Sequence, residues 1–285
     1  MSAEDDKYPE ESDRRRFVKG VVGVSALMGT ASVGGASINV LTEQTGAGGG
    51  LISYRGVENT AGPAPRGMPQ IPIEIDDEGY LKGLFPEYEE RTVEGQQVQV
   101  AEMEVGGMTY SVDWFQYCGV QSYAGIQPGA DQDQYFRYAS GSGYDWQEED
   151  VREGQRVNVE EFSDYETWGN EYGTDGVGKP AAATWRSQDL SGKDTIPVMI
   201  LRSTRIEEMA AESDDPWFQA ATQDGFMAIL NKCTHFCCVP GFKTTRDAAK
   251  FGAADEIYCP CHQSVYDPFS VVEANFTALP RPEED

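Results

Sequence analysis

Histidine is almost missing from this 285-residue chain, which has only His235 and His262. Any chemistry that needs a third imidazole is therefore excluded. Basic residues are scarce as well: 22 Lys and Arg stand against 48 Asp and Glu, a net charge of −26. A surface of that sign repels phosphate backbones and argues against a nucleic-acid partner. There are six cysteines, the first being Cys118, so none is placed to anchor a lipid near the N-terminus. No Cys-x-x-Cys-His run for haem attachment occurs. The glycines of residues 42–50 lack the Lys-Ser/Thr that would make them a phosphate loop.

What is present suits a mostly β chain with many turns: 39% hydrophobic residues, 31 Gly and 15 Pro. The acidity fits either solubility in concentrated salt or the steering of a basic partner. The acids are spread along the whole chain rather than gathered in a patch, which favours the salt reading.

The N-terminus reads as a targeting element. Residues 1–13 are acidic and polar. Arg14-Arg15-Arg16-Phe17-Val18-Lys19 resembles a twin-arginine export signal, with Asp13 where Ser or Thr is commoner. Residues 1–19 are thus expected to be a cytoplasmic leader. Residues 20–41 carry no charge, and a helix of that length crosses a ~30 Å hydrocarbon core. They are expected to form an uncleaved transmembrane anchor, a cleaved signal peptide being the other reading. Basic residues before the span place the N-terminus in the cytoplasm. The head then lies at the cell membrane on its extracellular face, tethered by residues 42–50.

Residues 51–190 read as a β-rich extension with long loops. Alternation over residues 98–112 is interrupted at Gly106-Gly107. Pro63, Pro65, Pro69 and Pro72 argue for an extended crossing segment. The many Tyr and Trp residues are expected in the core. In residues 191–285, strands are predicted at 196–202 and 226–230, with a short helix at 205–212.

Two segments carry the chemistry: Cys233-Thr234-His235-Phe236-Cys237-Cys238 and Cys259-Pro260-Cys261-His262-Gln263-Ser264-Val265-Tyr266. Each offers one Cys and one His, a donor set that suits zinc or iron. Structural zinc accounts for four ligands but leaves Cys238 and Cys261, at matching positions in the two segments, without a role.

The pattern Cys-x-His-x-x-Cys with Cys-x-Cys-His resembles the Rieske iron–sulfur family over residues 192–282. The resemblance implies an antiparallel β-sandwich with a small cluster-binding subdomain whose loops are residues 233–238 and 259–266. It implies a [2Fe–2S] cluster on Cys233, His235, Cys259 and His262, and a Cys238–Cys261 disulfide bracing it. Ser264 and Tyr266 match the family's hydroxyl donors to the cluster sulfurs, which raise its potential. The departures are Phe236 for a usual Leu, Cys237 for a Gly, and Gln263 at a Gly position. The family's Gly-Pro-Ala-Pro loop is read as absent, with Leu279-Pro280-Arg281-Pro282 as its expected counterpart. The chain stops before the family's closing strands, and part of the upstream region is expected to replace them. Cys118 and Cys237 are left either as a second disulfide or as two free thiols.

The function this implies is electron transfer within a quinol-oxidising complex of the cytochrome bc type. A cytochrome b-type subunit and quinol are the expected partners, His262 is the residue that meets quinol, and a cytochrome c or small copper protein is the acceptor. A Rieske subunit of an exported molybdenum oxidoreductase is the alternative. A Rieske oxygenase is excluded, because no histidines remain for its second iron.

Overall fold

A computed structural model describes residues 50–93 and 96–278. Fourteen strands are present: β1 (Gly50–Ala61), β2 (Met68–Ile71), β3 (Ile73–Ile75), β4 (Leu81–Gly83), β5 (Tyr88–Val93), β6 (Gln96–Val105), β7 (Met108–Ser111), β8 (Arg137–Tyr138), β9 (Lys179–Trp185), β10 (Ile196–Arg202), β11 (Phe226–Leu230), β12 (Gly241–Phe242), β13 (Ile257–Cys259) and β14 (Ser264–Ala278). Among the described residues three short α-helices join them, α1 (Asp145–Asp150), α2 (Thr204–Glu212) and α3 (Pro216–Ala221), with several single 3-10 turns. Nine strands make one sheet in the order β12-β13-β14-β1-β2-β11-β10-β9-β8, and every pairing is antiparallel. A β3–β4 hairpin and a three-stranded β5-β6-β7 sheet are added to it.

The strands follow from local chemistry. β11 is Phe-Met-Ala-Ile-Leu, buried at every position, which is the pattern of a strand covered on both faces. β10 and β11 have the predicted limits, and α2 begins at a Ser203 cap whose hydroxyl accepts from the Arg205 N–H. Residues 98–112 fold as β6 and β7 around Gly106 and Gly107, both at positive φ. α3 has no counterpart among the expected elements. It starts with Pro216 at its first turn, after Asp215 has accepted from the Trp217 N–H.

The aromatic residues form the core, as expected. Trp114, Trp185 and Trp217 are fully buried, with Tyr110, Phe115 and Phe136 around them. Trp114 and Trp217 lie 4.9 Å apart by ring centroids, and the Trp217 Nε1 donates to Gln70 Oε1 at 2.8 Å. Most of the polar atoms these rings carry inward are satisfied: Trp185 Nε1 donates to the Gln134 carbonyl at 3.1 Å and the Tyr110 hydroxyl to the Leu84 carbonyl at 3.0 Å, whereas Trp114 Nε1 is buried without a partner.

The sheet runs across the expected division at residue 190. β1, β2, β8 and β9 come from before it and β10–β14 from after it. The described residues belong to one compact unit. The leader, anchor and tether lie outside the described residues, except Gly50, which pairs with Ala278 at the start of β1. Among the described residues no helix is long and apolar enough to cross a membrane.

Candidate metal centre

The two ligand segments become neighbouring loops. The first leaves β11 and enters β12. Asn231 pins its base, with its N–H on the Pro197 carbonyl at 2.8 Å and its Nδ2 on the Pro240 carbonyl at 3.0 Å. Backbone bonds from Cys233 N–H to Cys238 O (2.8 Å) and from Cys237 N–H to Cys233 O (3.1 Å) close the loop. The second is the turn of the β13–β14 hairpin. Cys259 pairs with Ser264, and the Gln263 N–H donates to Cys259 O at 2.9 Å. Pairing of β12 with β13 sets the loops side by side.

Cys233 and Cys259 are buried and carry the only free thiols among the described residues. The Cys259 thiol donates to Cys233, which lowers the Cys233 pKa. Burial opposes this, and the Tyr266 hydroxyl with the His235 and Phe236 N–H groups adds to the lowering, to about 5. Cys259 is pushed up by the same bond and by burial. The lowering favours the thiolate of Cys233, the form that binds metal. The Tyr266 hydroxyl donates to Cys233 Sγ at 3.2 Å and accepts from the Thr234 N–H at 3.2 Å. The rings of His235 and His262 lie 4.7 Å apart, nearly perpendicular. His262 is exposed and His235 half-buried. Phe236 (64% exposed) and Val239 (55%) make the rim apolar.

Besides Asn231 Oδ1 at the loop base, His235 Nδ1 and Ser264 Oγ are buried without a hydrogen-bond partner. Buried polar atoms are rarely left so, and both fit a group seated between the loops: the imidazole nitrogen as a ligand, the hydroxyl as a donor. The sulfurs of Cys238, Cys259 and Cys261 lie within 4.8 Å of one another. Cys238 and Cys261 are joined in a disulfide across the two loops, however, with Cα atoms 6.7 Å apart. Cys259 alone of the three is available to a metal. A second disulfide joins Cys118 to Cys237, Cα atoms 5.4 Å apart, which resolves the open choice for that pair.

The Gly-Pro-Ala-Pro loop read as absent is present as Gly62-Pro63-Ala64-Pro65, upstream of both ligand loops, and this corrects the expectation placed on Leu279-Pro280-Arg281-Pro282. β1 runs antiparallel to β14, with Asn59 opposite Tyr266 and Ala61 opposite Val265. That register delivers residues 62–66 to the ligand loops. A Cβ on Gly62 would lie 2.4 Å from Gln263 O, and the Thr234 hydroxyl donates to Arg66 O at 2.6 Å. The tetrapeptide is plain in the sequence, but nothing local shows that it sits beside a segment so far along the chain. Residues 279–282 lie outside the described residues.

Fold and site together define an antiparallel β protein whose paired loops present a two-Cys, two-His donor set. The chain is 28% identical over 93 residues to the ubiquinol-cytochrome c reductase iron-sulfur subunits of Rickettsia felis and Rickettsia conorii. That stretch is 32% of this chain, and the chain spans about half (49%) of the length of these curated relatives. No family profile and no solved structure matches it.

Proposed function

We propose that this chain is a Rieske-type electron-transfer subunit of a membrane quinol-oxidising complex of the cytochrome bc type. The observation that carries the reading is the pair of adjoining loops, each supplying one buried free Cys and one His, with a disulfide between them. Cys233 and Cys259 would hold one iron of a [2Fe–2S] cluster and His235 and His262 the other. Bound there, the cluster supplies a one-electron redox centre whose two imidazole ligands give it a higher potential than four thiolates do. Tyr266 donates to a ligand sulfur and Ser264 has a hydroxyl free to donate; both favour the more negative, reduced state. The Cys238–Cys261 disulfide ties the two loops together, and Gly62 packs against the second at Gln263 and Ser264.

His262, exposed beside Phe236, would take a hydrogen bond or a proton from a quinol docked on the apolar rim. A cytochrome b-type subunit supplies the quinol site, and a cytochrome c or small copper protein takes the electron. The head faces the outside of the cell membrane, held by the N-terminal anchor that follows the twin-arginine leader.

Electron paramagnetic resonance of the reduced protein tests the reading. A Rieske-type signal is expected from the wild type and none from H235A or H262A. A metal content of zinc without iron would overturn it.

A further inference from the structure

We infer that Arg66 is a half-buried cation without a carboxylate partner that raises the reduction potential of the centre held by the ligand loops; this rests on the Rieske reading above. Arg66 follows Pro65 directly and is tied to both neighbours of Cys233. Its carbonyl accepts from the Thr234 hydroxyl at 2.6 Å. Its guanidinium lies 4.9 Å from the centroid of Tyr117, whose hydroxyl donates to the Lys232 carbonyl at 3.0 Å. The other walls are aromatic: Phe276 at 3.7 Å and Tyr54 at 5.3 Å.

Among the described residues no carboxylate pairs with it within 4.0 Å, although the chain carries 48 Asp and Glu. Its Nη1 is buried without a hydrogen-bond partner. Arginine keeps its charge even so, and the ring faces around it supply only cation–π attraction. Desolvation of an unpaired cation is unfavourable, and here it leaves a positive field that no counter-ion cancels. That field acts where the medium is less polar than water and salt screens weakly. Adding an electron makes the centre more negative, so the cation stabilises the reduced form over the oxidised one.

The test is the midpoint potential of the full-length, cluster-loaded protein, followed by its resonance during a redox titration. In R66Q the potential should fall by about 59 mV, a tenfold change in the one-electron equilibrium, with the line shape kept. R66K retains the charge and should stay near the wild type. Phe276→Glu leaves Arg66 in place but gives it a counter-ion, and it should lower the potential as R66Q does, so the test survives if R66Q loses its cluster. The R66Q shift should persist in molar KCl, where contributions from exposed charges are screened.

An unchanged potential in R66Q or in Phe276→Glu overturns the inference. So does a fall in R66K equal to that in R66Q, which would assign the effect to packing. Absence of a Rieske signal from the wild type would instead overturn the reading on which the inference rests.

Discussion

Gly62 is where the upstream proline segment meets the second ligand loop. Its φ is +86°, and an added Cβ would lie 2.4 Å from Gln263 O and 2.6 Å from Ser264 Cα. Backbone on both sides leaves no room to yield. G62A is expected to lower stability by about 1–3 kcal/mol, measured as a fall in the denaturant midpoint. Cys237 and Gln263 were recognisable from sequence as side chains at glycine positions. Both keep the left-handed backbone, at φ 63° and 64°, a conformation that costs an ordinary residue roughly 1 kcal/mol. At Cys237 the disulfide to Cys118 offsets that cost. Tyr266→Phe removes the donor to Cys233 Sγ, so a lower midpoint potential is expected with the fold retained. A potential equal to the wild type would show that this hydroxyl does not act on the thiolate.

The first ligand loop is held on two sides by elements distant in sequence. The Cys118–Cys237 bridge closes a separation of 119 residues. The Tyr117 hydroxyl donates to Lys232 O, and the Lys232 ammonium reaches Cys118 O at 3.4 Å. The double variant C118A/C237A is expected to lose about 2–4 kcal/mol by denaturant unfolding. Thiol counting on unfolded, unreduced, cluster-free wild type should give two, Cys233 and Cys259, and four would contradict the bridge.

Behind β12 and β13 lies an ionic tie. The Lys243 side chain is wholly buried and meets Asp255 Oδ1 at 3.3 Å, and Thr174 donates to both carboxylate oxygens at 2.8 Å. Burial alone would raise the Asp255 pKa; the two Thr174 bonds and the Lys243 charge outweigh it and hold it below the ordinary value. A depressed carboxylate contributes stability above its unfolded pKa of about 3.9, and the contribution is lost as pH falls through the folded value. D255N should therefore be less stable than wild type by about 1–3 kcal/mol at pH 7, and the gap should close below about pH 4. A gap that stays constant from pH 7 to pH 3 would refute the role of the charge.

Taken whole, the molecule is a polyanion. From Leu51 onward there are 17 basic and 41 acidic residues. Many of the basic ones are engaged: Arg55 with Asp215 at 3.0 Å, Arg137 with Asp133 at 2.7 Å, Lys179 with Asp164 at 2.7 Å. Among the described residues most carboxylates form no ion pair, and they repel one another in dilute buffer. The melting temperature should rise steeply between low-salt and multimolar KCl, where the Debye length falls to ~3 Å. A melting temperature independent of KCl would exclude that repulsion as a force on the fold.

The two segments that carry both Cys and His were readable residue by residue. With two histidines in the whole chain, His235 two positions from Cys233 and His262 next to Cys261, any histidine-ligated metal is confined to residues 233–238 and 259–266. Strand character at 196–202 and 226–230 was equally local, because continuous apolar runs bounded by turns have few other ways to be buried. Pairing between distant segments was not local. The register of β1 on β14 moves Gly62–Pro65 and Arg66 onto the ligand loops, and the turn at 117–120 closes on Cys237. The same register draws strands from both sides of residue 190 into one sheet. Such contacts depend on which strand edge lies against which, and strand edges look alike in sequence, since the backbone donors and acceptors that join them are common to every residue.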